Sequence, residues 1–248
     1  MVTATLRIEK RSKIWDNLGM TEANVVRETN AISSNQSKHE TKNPLRQFFL
    51  ENFNSTLKKA IIEDFIIGEV SEETQATPTS LGSVLEVGCG EGFVLEYMTR
   101  HITITRIFGA DISERAVEKA KTRLPQAEIF TADLSSDEFL TQIKALDQPN
   151  FDLTLCLEVL EHIKDYQKAL QNLKSIPTEN FVISVPNEPF FRLSNFIALK
   201  NIKDFGNDPE HINNWSVTQF KRLLEEHFVI RNSYYPFPWQ MYLCKKRN

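Results

Sequence analysis

The chain of 248 residues is 41% hydrophobic and 25% charged, which suits one large domain or a core domain with an added segment. Lys plus Arg number 29 against 33 for Asp plus Glu, a formal charge of -4 at pH 7, whereas a chain that grips a nucleic-acid backbone by bulk charge leans the other way. Cys89, Cys156 and Cys244 stand too far apart for a zinc site or a disulfide framework, and neither a long apolar span nor a secretory signal is readable, so a soluble protein of a reducing, cytoplasmic compartment is expected.

Residues 1–43 are rich in Ser, Thr, Asn and Gln and are expected to be partly flexible. From Asn43 to Ile67, the residues Leu45, Phe48, Phe49, Phe53, Leu57, Ile61 and Phe65 recur at steps of three and four. That spacing predicts a helix with one apolar stripe, either packed on the main domain or covering a substrate. Residues 68–83 are polar and turn-forming and read as a linker. The expected division is a partly flexible helical cap and linker over 1–80 and a main domain over 81–248.

From Ser83 onward short apolar runs alternate with longer amphipathic ones. Strands are predicted near 84–88, 105–110, 127–131, 151–157, 180–185, 228–234 and 239–244. Helices are predicted near 91–101, 113–123, 135–146, 160–175, 189–200 and 216–227. Such alternation predicts an α/β fold, an open and mostly parallel sheet covered on both faces. The stretch YYPFPWQ is too short for a helical crossover, so the last two strands must run antiparallel to each other.

The strongest local signal is SVLEVGCGEGFVLEYM, Ser83 to Met98. Val84, Leu85 and Val87 make a buried strand that Gly88, Gly90 and Gly92 interrupt where a helix begins. Glycines there permit positive φ and let a ligand approach the backbone. No Lys-Ser or Lys-Thr follows, which excludes a phosphate-cradling NTPase loop. Glu86, inside the strand, would repel a pyrophosphate and attract an ammonium group.

Further acidic positions follow. Asp111 ends the second strand, where a carboxylate can accept from two ribose hydroxyls; the competing reading is a cap on the helix that begins at Ser113. Asp133 ends the third strand, either as a surface residue or beside an adenine, with the Leu134 N–H meeting a ring nitrogen. The fourth strand runs into Leu157, Glu158, Val159, Leu160, Glu161 and His162. Glu158 and His162 stand four apart and could share a helical face as a structural pair; with no third ligand nearby in sequence, no metal site is expected.

Together, Glu86 with the three glycines, then Asp111, Asp133 and the LEVLEH segment, resemble the class I S-adenosylmethionine-dependent methyltransferases, closest to the branch that includes quinone-biosynthesis and natural-product enzymes. The resemblance covers roughly Ser83 to the C-terminus. It implies a Rossmann-like sheet of seven strands, the last one antiparallel, and S-adenosylmethionine as cofactor. It also implies that Gly88, Cys89 and Gly90 face the methionine part of the cofactor, with Glu86 near its amino group or holding the loop. Asp111 and Ile112 would then serve the ribose, Asp133 and Leu134 the adenine, and the backbone at Leu157 and Glu158 the methionine end. Position 86 in that family is more often Asp than Glu.

The acceptor side is individual. Phe190, Phe191, Leu193, Phe196, Ile197 and Leu199 form an apolar helix after the fifth strand, either core or an aromatic acceptor pocket with Phe48, Phe49 and Phe53 over it. His211, in GNDPEHINNWS, is a candidate general base, a substrate contact or a loop-holding residue, and His162 is the alternative base. The strand end SVPNEP lacks the aromatic tetrad of nucleic-acid and protein nitrogen methylation. The expected reaction is methyl transfer to oxygen or nitrogen of a small, aromatic or apolar metabolite. Carbon methylation, methylation of tRNA or a peptide terminus, and a non-enzymatic partner subunit are the alternatives.

Overall fold

The runs read as strands assemble into one sheet. In the computed structural model, which describes residues 52–60, 80–148, 150–197 and 210–247, the strands are β1 (Ser80–Val87), β2 (Thr103–Asp111), β3 (Glu128–Thr131), β4 (Leu153–Leu157), β5 (Asn180–Pro186), β6 (Phe228–Tyr234) and β7 (Trp239–Lys246). Their order across the sheet is β3-β2-β1-β4-β5-β7-β6. Every neighbouring pair from β3 to β5 is parallel, and β7 runs antiparallel to both β5 and β6. The chain order reverses between β1 and β4, which opens a crevice outside their carboxyl ends.

Central strands covered on both faces need continuous apolar runs, and β4, LTLCL, is buried at every position. The helices divide between the faces. α1 (Phe93–Thr99) and α2 (Glu114–Arg123) pack on one side, where Leu95, Met98, Val117 and Ala120 join Phe53, Leu57 and Ala60. α3 (Phe139–Ala145), α4 (Tyr166–Ser175) and α6 (Val217–His227) pack on the other through Phe139, Ile143, Leu170, Leu173, Phe220 and Leu224. α5 (Phe190–Ile197) follows β5. Each large side chain removed from water in this way contributes about 1.5–3 kcal/mol.

Caps explain several helix starts. Ser216 accepts from Gln219 N–H while the Gln219 side chain bonds back to the Ser216 N–H, a reciprocal box that starts α6. Ser113 Oγ accepts from Ala116 N–H at 3.3 Å, so the α2 cap is Ser113 and not Asp111.

Two sequence expectations need correction. Ser80–Ser83 is strand rather than linker: Ser80 pairs with Thr103 and Ser83 with Arg106, and the Asp152 carboxylate accepts from the Gly82 and Ser83 amides at 2.6 and 3.0 Å. Backbone pairing does not need apolar side chains, so polar residues hid it. The helix read over 160–175 is interrupted. Leu160–His162 is a short 3₁₀ turn, and α4 begins only at Tyr166, where the Asp165 side chain accepts from Lys168 N–H.

Of the long N-terminal stripe, residues 52–60 are described and helical, with Phe53, Leu57 and Ala60 buried. Phe53 meets Trp239 of β7 edge-on at 5.3 Å, so these turns pack against the sheet. The expectations for residues 1–51, for 61–79, including Phe48, Phe49, Ile61 and Phe65, and for Leu199 lie outside the described residues.

Candidate active site

The crevice is built from the carboxyl ends of β1, β2, β3 and β4. At the end of β1 the chain turns through Gly88, Gly90 and Gly92, with φ of 77°, 52° and 79°. The Gly88 and Cys89 amides both donate to the Ala110 carbonyl, and the Gly90 amide donates to Asp111 Oδ2 at 2.8 Å. This clamps the loop to the tip of β2. The glycines differ in what surrounds them. A Cβ at Gly88 would collide with Val159, whereas one at Gly90 would meet nothing within 4 Å. Gly90 is therefore the open point of the loop, with room for a ligand to lie against its backbone.

Glu86 lies beneath this loop, 2% exposed, with Oε2 unsatisfied by any donor among the described residues. Burial, then the charge of Asp111, hold its carboxyl well above the usual range, while the Leu95 amide at the start of α1 pulls the other way. The Cys89 thiol turns inward against Gly109, and burial pushes it far up, so this residue offers the crevice its backbone.

Asp111 spends one lone pair of Oδ1 on the Ser113 amide and one of Oδ2 on Gly90, and a carboxylate has about four such sites. Ile112, beside it, is 68% exposed, an apolar surface at the rim. Asp133 Oδ1 accepts from both the amide and the hydroxyl of Ser135, at 2.8 and 2.7 Å. The Leu134 carbonyl is held by Asn172 Nδ2 at 2.7 Å, which fixes the β3 loop to α4.

The end of β4 departs most from expectation. Leu157 is buried, and Glu158 takes a positive φ of 58°, uncommon for a side-chain-bearing residue. Glu158 bonds to Ser184 on β5, its amide to the carbonyl and its Oε1 to the hydroxyl at 2.9 Å. The expected shared helical face of Glu158 and His162 is therefore absent, because no α-helix spans them. Glu161, next to His162, turns inward at 1% exposure, and neither carboxylate oxygen meets a donor among the described residues. Burial raises the Glu158 carboxyl to about 8, and burial with the Glu158 charge raises Glu161 as well. Two buried carboxyls this close cannot both stay anionic without a proton or a cation between them.

His211 reaches the same spot from the segment before α6. The Ile212 and Asn213 amides both donate to the Glu161 carbonyl at 3.0 Å, and Asn213 Nδ2 donates to the Leu160 and Ile163 carbonyls. Those bonds lock the segment onto the 3₁₀ turn. The His211 ring lies between His162 and Phe191, with centroids 4.8 and 4.9 Å away. One ligand atom each from Glu161, His162 and His211 fall within 4.8 Å of one another. His162 Nδ1 donates to the Glu210 carbonyl at 3.0 Å, which orients the ring. The sequence showed no third group beside Glu158 and His162; the fold brings Glu161 and His211 together with His162. Glu161, which stands in the LEVLEH segment without a role in the sequence reading, completes the set; its adjacency to His162 was the available signal.

A glycine loop at a topological switch point, acids at the tips of successive strands and a seventh strand inserted antiparallel define a Rossmann-like methyltransferase fold. The model of a methyltransferase domain family matches residues 62–227, and the chain belongs to that family, within the class I S-adenosylmethionine-dependent methyltransferases. A ubiquinone biosynthesis O-methyltransferase of Coxiella burnetii is 34% identical over 94 residues, 38% of this chain and 38% of that protein. One of the same description from Histophilus somni is 28% identical over 113 residues, 45% of this chain and 47% of that protein. The alignments thus span less than half the length of these curated relatives. The methyltransferase domain of bacterial CtHen1 superposes with a TM-score of 0.53 at 18% identity, over 82% of this chain and 100% of that one. The CurJ carbon methyltransferase gives 0.56 at 16% identity, over 79% and 55%. At these identities the likeness is one of fold.

Proposed function

We propose that the chain transfers the methyl group of S-adenosylmethionine to an oxygen, or else a nitrogen, of a small aromatic or apolar acceptor. The observation that carries this reading is the Gly90–Asp111 clamp, a loop with open space at Gly90 and an adjacent carboxylate with acceptor capacity to spare. In this reading Gly88, Cys89 and Gly90 present backbone to the methionine part, and the unsatisfied Glu86 oxygen lies on the side of its ammonium group. Asp111 accepts from the ribose hydroxyls, with Ile112 against the ring. Asp133 and the Leu134 amide take the adenine edge, and the backbone at Leu157 and Glu158 closes the methionine end.

The sulfonium carbon of this cofactor is electrophilic without enzymatic help, so the protein's work is alignment and charge stabilisation for in-line attack. Exposed Phe190, Leu193, Ile212 and Tyr235 support an apolar acceptor. The descriptions of the curated relatives favour oxygen over nitrogen.

For the acceptor proton, His162 and His211 are the candidate bases. A second reading is favoured by the Glu161–His162–His211 cluster: these three side chains, with Glu158 behind them, hold a divalent cation. Such an ion supplies Lewis acidity toward an acceptor hydroxyl. The carboxylate-and-imidazole donor set fits an ion of the manganese-to-zinc series.

Calorimetric titration with S-adenosylmethionine and S-adenosylhomocysteine tests the cofactor half. One-site binding is expected, and no binding by folded protein would overturn the reading. Product masses from phenolic, amine and carboxylic acceptors, with and without chelator, then test the acceptor atom and the cation.

A further inference from the structure

Among the described residues, strand β6 ends the sheet with β7 as its one neighbouring strand, so along Val229–Ser233 one row of its backbone amides and carbonyls faces away from β7. That edge is the floor of an open groove of about 990 Å³. Three separate parts of the fold bring cations to its walls: Lys59 from the N-terminal helical segment, Lys221 and Arg222 from α6, and Arg231 and Arg247 from β6 and the end of β7. None of these five enters an ion pair among the described residues, and two acids, Glu225 and Glu226, share the lining. The excess of positive charge runs against a chain whose formal charge is -4. Val229 stands 44% exposed on the groove floor.

We propose that this groove receives an extended acidic segment of a partner protein, which pairs with the β6 edge as an added strand. The outward backbone row from Val229 to Ser233 and the exposed Val229 side chain offer partners to a polypeptide, one through strand hydrogen bonds and the other through an apolar contact. A phosphate backbone uses neither. The cations lie on both sides of the edge, on α6 above and on the helical segment and β7 below, and an added strand sends alternate side chains to those two sides. Acidic residues at successive positions therefore meet positive charge on each face, and this complementarity selects an acidic occupant. The surface is separate from the strand ends that form the methyl-transfer site.

The probe is a fluorescein-labelled, end-blocked decapeptide in which Glu-Glu pairs are separated by single Val residues, so that Glu faces both sides of the added strand, followed by anisotropy against the full chain. Two competitors accompany it: the same peptide N-methylated at two consecutive central residues, which keeps the charge and blocks strand pairing, and a single-stranded oligonucleotide of equal length. Saturable peptide binding is expected, at least tenfold weaker for the N-methylated peptide and at least tenfold weaker for the double variant K221E/R231E. Affinity for S-adenosylmethionine should stay unchanged in that variant, which confirms its fold. Equal binding of the N-methylated peptide, or tighter binding of the oligonucleotide, would overturn strand addition in favour of bulk polyanion attraction. Absence of peptide binding would overturn the proposal and leave Arg231 as a guard against edge-to-edge aggregation.

Discussion

Gly90 and Asp111 are joined by a 2.8 Å hydrogen bond from the glycine amide to Oδ2, so the loop after β1 and the tip of β2 move as one piece. The other Asp111 oxygen holds the Ser113 amide at the entrance to α2. Replacement by alanine removes both acceptors and any ribose contact at once. Asp111→Ala should cost about 1–2 kcal/mol of stability, seen as a lowered Tm, and should weaken S-adenosylmethionine binding by at least tenfold in calorimetry. Unchanged affinity in the folded variant would sink the ribose assignment.

The glycines of the same loop separate folding from binding. Both Gly88 and Gly90 have positive φ, a strain of about 1–2 kcal/mol for any other residue. Gly88→Ala adds a collision with Val159, so it should lose about 2 kcal/mol or more and express poorly. Gly90→Ala meets no neighbour and should fold with only the backbone cost. Its methyl group stands where the ligand approaches, so its deficit should appear in cofactor affinity. A Gly90→Ala protein that binds cofactor normally would count against the loop as the binding surface.

Glu86 predicts opposite effects on stability and binding. Its folded-state carboxyl is raised by burial and by Asp111, so the folded chain holds this proton more tightly than the unfolded one. The stabilisation is complete below the ordinary carboxylate value of 4.5 and is lost as pH rises through the raised value. Glu86→Gln keeps an acceptor for Leu95 and abolishes the ionisation. The variant should therefore melt a few degrees higher than wild type near pH 8 and show a flatter dependence of Tm on pH. It should bind S-adenosylmethionine roughly tenfold more weakly, a loss of about 1.4 kcal/mol for one charge contact. A Tm-versus-pH curve parallel to wild type would refute the burial argument.

Much of the sheet was legible because its central strands carry their burial in composition: LTLCL is apolar but for Thr154 and is buried at every position. The antiparallel pairing of β6 and β7 followed from loop length, a covalent constraint that needs no tertiary knowledge. Ser80–Ser83 was not legible, since its place in β1 comes from backbone pairing and from Asp152, far away in sequence. Nor was the break after β4, because Glu158 takes its positive φ without being a glycine, and its partner Ser184 lies on a strand far along the chain. The His211 placement was equally hidden. It depends on Ile212 and Asn213 amides finding the Glu161 carbonyl, and nothing local in either segment encodes that meeting.

The cluster of Glu161, His162 and His211 allows a decision between a histidine base and a bound cation. If the cluster holds a cation, Mn2+ added to chelator-treated protein should bind at one site, read by electron paramagnetic resonance. Glu161→Gln should weaken that binding by 10–100-fold, since it removes the charge that faces the ion. His162→Gln and His211→Gln should each weaken it too, while leaving S-adenosylmethionine affinity within about twofold. The pH dependence of kcat/KM then separates the mechanisms. An acceptor hydroxyl acidified by a cation ionises at a pH set by that cation, so the midpoint should move when Zn2+, Mn2+ and Mg2+ are exchanged. A histidine base would give one midpoint whatever ion is present, and its glutamine variant would lose the titration. We expect the midpoint to move. Full activity in excess chelator, with a midpoint near the histidine range, would remove the cation and return the proton to His162 or His211.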